Sequence, residues 1–453
     1  MATTHDLLRE ATERSLRYLD GIRERRVAPL PGQVAGLARL GGPLPEDPAD
    51  PAAVLALLDD AGSPATVASA AGRYFGFVIG GSLPVTLAAN WLAGAWDQNG
   101  GLVVASPVAA ALEETARRWL VEILGLPRDA GAGFVTGATM ANFTALAAAR
   151  HAVLARAGWD VEAAGLFDAP SITVIAGDEV HVALLKALSM LGLGRDRIVR
   201  VPVDGQGRMR ADALPVIAGP TIVCAQAGNV NSGGFDPVER ICAAAHAAGA
   251  WVHVDGAFGL WAAAAPERAH LARGVERADS WALDAHKWLN VPYDSGVAFV
   301  RRPDDLRAAM SASAAYLTET GAREPHHYTP EMSRRARGVE IWAALRALGQ
   351  RGVAGLVERN CRQAARFATG LREAGYEILN EVELNQVLVS FGSDEATRRV
   401  IAGVQSDGTC WCGGTVWHGR AAMRISVSSW ATTDGDVDRS LAAMVRVARS
   451  IPD

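Results

Sequence analysis

No stretch of this chain holds the roughly 18 consecutive apolar residues that a membrane-spanning helix requires, so no membrane partner is expected. Long basic runs are missing too. The densest cluster, RERR at 23–26, reads as a solvated helix end, and a formal net charge of −5 argues against a nucleic-acid partner. Cysteine is scarce: Cys224, Cys242, Cys361, Cys410 and Cys412 form an odd, scattered set unlike a disulfide framework. C-W-C at 410–412 lacks the second ligand pair of a metal site, so buried thiols and no metal are expected. The opening MATTHDLLREATERSLRYLD mixes both charge signs on an amphipathic helical pattern, unlike the basic start and apolar centre of a signal peptide. The expected location is cytoplasmic. Internal repeats and low-complexity segments are absent from the sequence.

What is present suffices for a multi-domain enzyme: 453 residues, 49% hydrophobic and 21% charged. After the first helix, VAPLPGQVAGL and GGPLPEDPADP are dense in Pro and Gly, and residues 1–70 read as an N-terminal helical arm. ALEETARRWLVEILGLP follows, with Leu112, Ala116, Trp119, Leu120, Ile123 and Leu124 at the spacing of a core-facing helix. From about residue 133, short β-branched runs (ITVIA, RIVRVPV, TIVCA, WVHVD) alternate with helical patterns. That rhythm predicts an α/β domain with a mostly parallel sheet, residues 71–345, binding its ligand at the carboxyl ends of the strands. Residues 346–453 read as a smaller α+β domain.

Several polar points fall at predicted strand ends. WVHVDGAFG places Asp255 after an apolar strand, followed by small residues that let a flat ring approach the backbone; a helix cap is the competing reading. VTGATMANFTALAAAR places Thr136, Gly137, Ala138 and Thr139 where a helix opens, a ready cradle for phosphate or a plain capping motif. His181 stands near the start of the next helix. WALDAHKWLN sets Asp284, His286 and Lys287 among apolar residues, so Lys287 is either a snorkelling side chain or an amine kept dry for chemistry. Taken together, a phosphate cradle, a carboxylate beside a flat-ring site, an imidazole and a partly desolvated lysine are the set pyridoxal 5'-phosphate requires.

The ordered motifs VTGATMANFTAL, DEVHVALLKA, AGNVNSGGFDP, HVDGAFG and DAHKWLN resemble the pyridoxal-phosphate-dependent group II amino acid decarboxylases, among them the glutamate and aromatic amino acid decarboxylases. GRYFGFVIGG, ASPVAAALEE and SRRARGVEIWAALRALG extend the likeness, which weakens toward the C-terminus. The resemblance implies the aspartate-aminotransferase-like fold (fold type I) and an intertwined homodimer with shared active sites, the N-terminal arm swapped over the partner. It implies that Lys287 forms the internal aldimine, Asp255 pairs with the pyridinium nitrogen, His181 stacks on the ring and Ala257 packs beneath it. It further implies that Gly137, Ala138 and Thr139, with His286 and Asp284, hold the phosphate, and that Asn229 lies near the ring hydroxyl. The implied reaction is decarboxylation of an L-amino acid to its amine through a quinonoid. The alternatives on the same scaffold are a carbon–carbon lyase of aldolase type, a transaminase or an oxidative deaminase, with a non-catalytic cofactor-binding dimer as the remaining reading.

Two departures from the family pattern shape the substrate expectations. DQNGGLVVA puts Asn99 and Gly101 where aromatic decarboxylases carry bulky apolar residues, which predicts a more polar, roomier pocket, with Tyr74 and Phe75 as its wall. The mobile loop that carries a proton-donating tyrosine in the family is short here, and holds Tyr316, His326, His327 and Tyr328 away from the expected offset; Tyr328 is the first choice as donor. Arg424 in AAMRISVSS reads as half of a structural ion pair, since a clamp on the departing carboxylate would stabilise the ground state.

Overall fold

The computed structural model describes residues 2–312 and 321–451, so Tyr316 lies outside the described residues. The chain forms two compact units, one of residues 80–365 and 379–388, the other of residues 1–79, 366–378 and 389–453.

The larger unit is built on seven strands: β1 (Gly131–Val135), β2 (Thr173–Gly177), β3 (Val199–Val201), β4 (Thr221–Gln226), β5 (Trp251–Asp255), β6 (Ser280–Asp284) and β7 (Gly296–Val300), in the order β1-β7-β6-β5-β4-β2-β3. All pairs from β6 through β3 are parallel, and β7 runs antiparallel to both of its neighbours. Strands β1, β5, β6 and β7 are buried at every position, which is why their sequences read as continuous apolar runs without alternation. The helix Ala138–Arg156 packs on the sheet through Ala141, Ala145, Ala148, Ala149 and Ala152, small residues at helical spacing that allow close approach.

This topology gathers chemistry at one edge. Strands β1, β2, β4, β5 and β6 share a direction, so their carboxyl ends, and the turns carrying residues 136–139, 178–181, 227–229, 255–257 and 284–287, emerge on the same side. Strand β7 closes the arrangement, because Gly296 pairs with Val135 on one side and Asp284 on the other. A Cβ built on Gly296 would stand 2.5 Å from Gly137 Cα, a backbone atom that has nowhere to go.

A second sheet consists of β8 (Glu377–Ile378), β9 (Gln386–Ser390), β10 (Gly413–Trp417) and β11 (Arg420–Ser426), in the order β10-β11-β9-β8. Residues 1–70 do not form a separate arm in this division; they cluster with the C-terminal residues. The reasons are specific: Val27 N–H donates to Gly408 O at 2.9 Å, Arg26 Nη1 donates to Asp407 O at 2.8 Å, and the buried Arg73 donates to the carbonyls of Thr409 and Arg23. The division also falls at residue 366, where a boundary at 346 was expected; the helical segment Gly338–Glu373 bends at Gly349 (φ 59°) and continues past it. All five cysteines are buried and unpaired. Arg424 on β11 has no carboxylate partner among the described residues, and burial alone pushes its guanidinium below its ordinary value, so the expected ion pair is not formed.

Substituting Gly296 with Ala should force Gly137 and the helix opening apart. The expected outcome is a loss of about 1–3 kcal/mol in chemical denaturation, typical of overpacking, accompanied by weaker cofactor retention. Gly125→Ala, at a site with nothing within 4 Å, supplies the comparison, though its φ of +65° adds local strain of its own.

Candidate active site

Lys287 follows β6 in a tight segment whose neighbours Ala285, Trp288 and Leu289 are fully buried. Its Nζ lies 2.9 Å from Asp284 Oδ2, one helical turn earlier in the chain. The same carboxylate accepts the Ala138 N–H at 2.5 Å through Oδ1, tying β6 to the opening of the helix Ala138–Arg156. His286 Nε2 stands 3.4 Å from that oxygen, while its Nδ1 accepts the Ser295 N–H at 3.2 Å. With Nδ1 an acceptor, the proton sits on Nε2, and burial pushes the imidazole below its usual value despite the neighbouring carboxylate. Gly80 approaches so closely that a Cβ there would fall 1.7 Å from the Lys287 carbonyl oxygen.

Asp255 ends the adjacent strand β5 and is buried. Its Oδ1 accepts the Ala257 N–H at 3.2 Å, and Oδ2 accepts Asn142 Nδ2–H at 3.1 Å. The Ala257 carbonyl in turn accepts the Asp284 N–H at 2.9 Å, which couples the Asp255 turn to the lysine segment. His181 caps the helix Val182–Met190, its Nδ1 accepting the Ala183 N–H at 3.2 Å. His181 and Asp255 border one small cavity of about 10 Å³, together with Cys224, Gln226 and Asp236. Asn229 lies in the turn after β4, where its Oδ1 accepts the N–H groups of Asn231 and Ser232. Its Nδ2 is buried without a hydrogen-bond partner, a donor left over for a ligand.

The residue set fits pyridoxal phosphate on observations of this structure. An orphaned buried donor stands at Asn229, an acceptor-only carboxylate at Asp255, an amine at Lys287, and a helix opening at Gly137–Thr139 whose first-turn N–H groups have no intrahelical acceptors. Gly137, Ala138, Thr139, His181, Asn229, Asp255, Ala257, Asp284, His286 and Lys287 all fall on the shared strand-end edge.

Other expected site residues are placed elsewhere. The Tyr328 ring lies under the Arg323 guanidinium at 4.1 Å and packs against the core around the helix Ala138–Arg156. The described part of its loop is docked: Val103 N–H donates to Glu324 Oε2 at 2.8 Å and His326 N–H to Gly101 O at 2.9 Å. Asn99 Oδ1 accepts from Gly101 N–H and Arg334 N–H, and its Nδ2 donates to Ser333 Oγ. Phe75 is fully buried and meets Phe367 edge-on, an element of the smaller unit's core. Tyr74 stacks on Trp411 at 5.2 Å, and burial pushes its hydroxyl up to about 12; the exposed ring of that segment is Phe77, held at φ 54° and stacked on the other end of Trp411.

Sequence reasoning missed the layer behind Asp255. His253 Nε2 contacts Asn142 Oδ1 at 2.7 Å and His253 Nδ1 contacts Ser280 Oγ at 2.9 Å, all within the buried interior. Two signals were available: His253 and Asp255 share a strand face at spacing two, and Asn142 follows Ala138 by one helical turn. Burial pushes His253 down to about 4. The unfolded chain takes up that proton near 6.5, whereas the folded chain refuses it until about 4, so stability falls as pH drops through this window. The expected contribution is about 3 kcal/mol between pH 6.5 and 4, measured as the difference in pH-dependent unfolding between the native chain and His253→Gln.

Comparison with known proteins agrees with this geometry. The family described as the pyridoxal-dependent decarboxylase conserved domain matches residues 66–393. Tryptophan decarboxylase 1 of Oryza sativa subsp. japonica is 28% identical over 400 residues, covering 79% of this chain and 76% of its own length. L-2,4-diaminobutyrate decarboxylase of Rhizobium meliloti (strain 1021) is 29% identical over 385 residues, covering 80% and 74%. Among solved structures, Oryza sativa TDC with PLP and tryptamine superposes with a TM-score of 0.89 at 24% identity, covering 98% of this chain and 97% of that one, which shows the shared fold. With most of its length matched, the chain belongs to the pyridoxal-dependent decarboxylase family and is a pyridoxal-phosphate-dependent amino acid decarboxylase.

Proposed function

We propose that the chain converts an L-amino acid to its amine with Lys287 as the covalent anchor of the cofactor and Asp255 as the partner of its ring nitrogen. The observation that carries this reading is the coupling of Asp255 to the lysine segment through the Asp284 N–H and the Ala257 carbonyl on adjacent parallel strands. Bound here, pyridoxal phosphate supplies an aldehyde for the amine and a protonated ring that draws electrons from the bond to be broken. Lys287 Nζ–H donates to Asp284 Oδ2, which holds the amine at the strand end. The Thr139 N–H at the helix opening, with the Nε2–H of His286, offers donors to the phosphate, while the Ala138 N–H is held by Asp284 Oδ1. Asn229 Nδ2 offers a donor to a ring oxygen, and His181, which borders the same small cavity as Asp255, offers a face for the ring.

The alternatives that keep the cofactor but break a different bond are separable by stoichiometry, since decarboxylation releases carbon dioxide one-for-one with amine. A panel that includes tryptophan and L-2,4-diaminobutyrate, the substrates in the names of the two relatives, identifies the side chain the substrate bears. A homodimer is supported by apolar surface: the helix Thr4–Gly21 has no buried residue and exposes Leu8, Leu16 and Leu19, and the helix Pro84–Trp96 exposes Trp91, Leu92 and Trp96. No helix among the described residues is long and apolar enough to cross a membrane. Five unpaired buried cysteines support a reducing, cytoplasmic setting.

Purified protein should be yellow, and borohydride should fix the cofactor to Lys287, identifiable by peptide mass. Lys287→Ala should hold the cofactor reversibly and lose roughly two orders of magnitude or more in amine formation; unchanged turnover would remove Lys287 from the reaction. The docking of Tyr328 under Arg323 leads us to expect that Tyr328→Phe leaves amine formation within about twofold, whereas a Tyr328 proton donor requires a slowing of roughly a hundredfold.

A further inference from the structure

A continuous hydrogen-bond chain runs behind Asp255, and each link fixes the next. An ionised Asp255 only accepts, so Asn142 must present Nδ2–H to it at 3.1 Å. That choice turns Asn142 Oδ1 toward His253 Nε2 at 2.7 Å, so Nε2 carries the imidazole proton. His253 Nδ1 is then the acceptor, and Ser280 Oγ–H donates to it at 2.9 Å. Ser280 Oγ in turn accepts Trp251 Nε1–H at 2.9 Å. Every donor points toward the carboxylate, and the links sit on three separate elements: the helix Ala138–Arg156, β5 and β6. Asn142, His253 and Ser280 are fully buried, so water does not compete for these bonds.

Such a chain exceeds what packing requires. A buried strand position facing a helix is filled by an apolar side chain at lower cost, and an imidazole at this depth is tolerated only with both nitrogens engaged. The direction of the dipoles gives the arrangement a use: it locks the Asp255 side-chain rotation and places an N–H donor on the oxygen that Ala257 does not reach. The charged and titratable groups around Asp255 are Glu179, His181, Cys224 and Asp236 in the shared cavity and His253 behind. None of them supplies this second bond.

We infer that Asn142 and His253 are positioning residues that orient the Asp255 carboxylate toward the ring nitrogen of the cofactor, with Ser280 and Trp251 fixing the imidazole tautomer. The inference rests on the reading of Asp255 as the ring-nitrogen partner. It predicts that these residues matter to a cofactor only through its nitrogen.

The test titrates the full chain, stripped of cofactor, with pyridoxal phosphate and with its 1-deaza analogue, in which C–H replaces the ring nitrogen, and compares dissociation constants. Asn142→Ala is expected to weaken pyridoxal phosphate roughly tenfold and the analogue less than twofold, since one hydrogen bond to a charged group is at stake. His253→Phe, which cannot donate to Asn142, should reproduce this selective loss. His253→Gln, whose amide N–H replaces the Nε2–H, should restore most of the affinity. Ser280→Ala, which removes one donor without opening a large cavity, should give a selective loss of about two- to threefold, and it carries the test if Asn142→Ala does not fold. Asp255→Ala separates the two readings. If Asp255→Ala weakens both ligands equally, the assignment of Asp255 is wrong; if it discriminates between them while the Asn142, His253 and Ser280 variants do not, Asp255 stands and the positioning role is overturned.

Discussion

The carboxylate of Asp284 joins three parts of the chain: the end of a central strand, the opening of the helix that follows β1, and the Lys287 amine. Its Oδ1 receives the Ala138 N–H at 2.5 Å and its Oδ2 faces Lys287 Nζ at 2.9 Å. A buried carboxylate in this position is tolerable because donors surround it, and the donors are in turn ordered by it. Loss of that one group would leave an ammonium half-buried without its counter-charge and a helix N-terminus without its acceptor. The geometry of the lysine and of the helix opening at Ala138 is thus set by the same few atoms.

The sheet supplies the frame in which this hub works. Parallel strands direct their carboxyl ends to one side, and β7, antiparallel between β1 and β6, brings Val135 and Asp284 onto either flank of Gly296. Two glycines, 137 and 296, let the backbones approach where any side chain would intrude. Behind the front row, the Asn142–His253–Ser280 chain makes the carboxylate of Asp255 a fixed object. Rigidity at the second row is what allows a small number of front-row groups to define a site.

Much of this was legible in the residues. Buried parallel strands read as apolar runs, so β2, β4 and β5 and the polar residues at their ends could be located before any coordinates. Strand β1, GAGFV, carries two glycines and little β-branching, and β10, GGTVW, is half exposed; both are weak signals and neither was singled out. Tertiary contacts decided the rest. Asn99 stands where aromatic decarboxylases carry bulky apolar residues, and its Oδ1 accepts the N–H groups of Gly101 and Arg334 while its Nδ2 donates to the Ser333 hydroxyl. Phe75 and Phe77 are two apart on one segment, and only the backbone turn at Phe77, φ 54°, determines which ring is core and which is exposed. Tyr328 was picked by residue type; its loop instead folds onto the segment around Gly101 and Val103, where Arg323 covers the ring.

The pairing of the first eighty residues with the last third of the chain has a consequence for biosynthesis. Arg26 finds the carbonyl of Asp407 only 381 positions later. At translation speeds of about 5–20 residues per second, the nascent N-terminus waits roughly 20 to 75 seconds on the ribosome before that acceptor emerges. During this interval Arg26 and Val27 lack the acceptors that the Asp407 and Gly408 carbonyls supply in the folded chain, so the first segment of the smaller unit is completed only by the last part of the chain to be made.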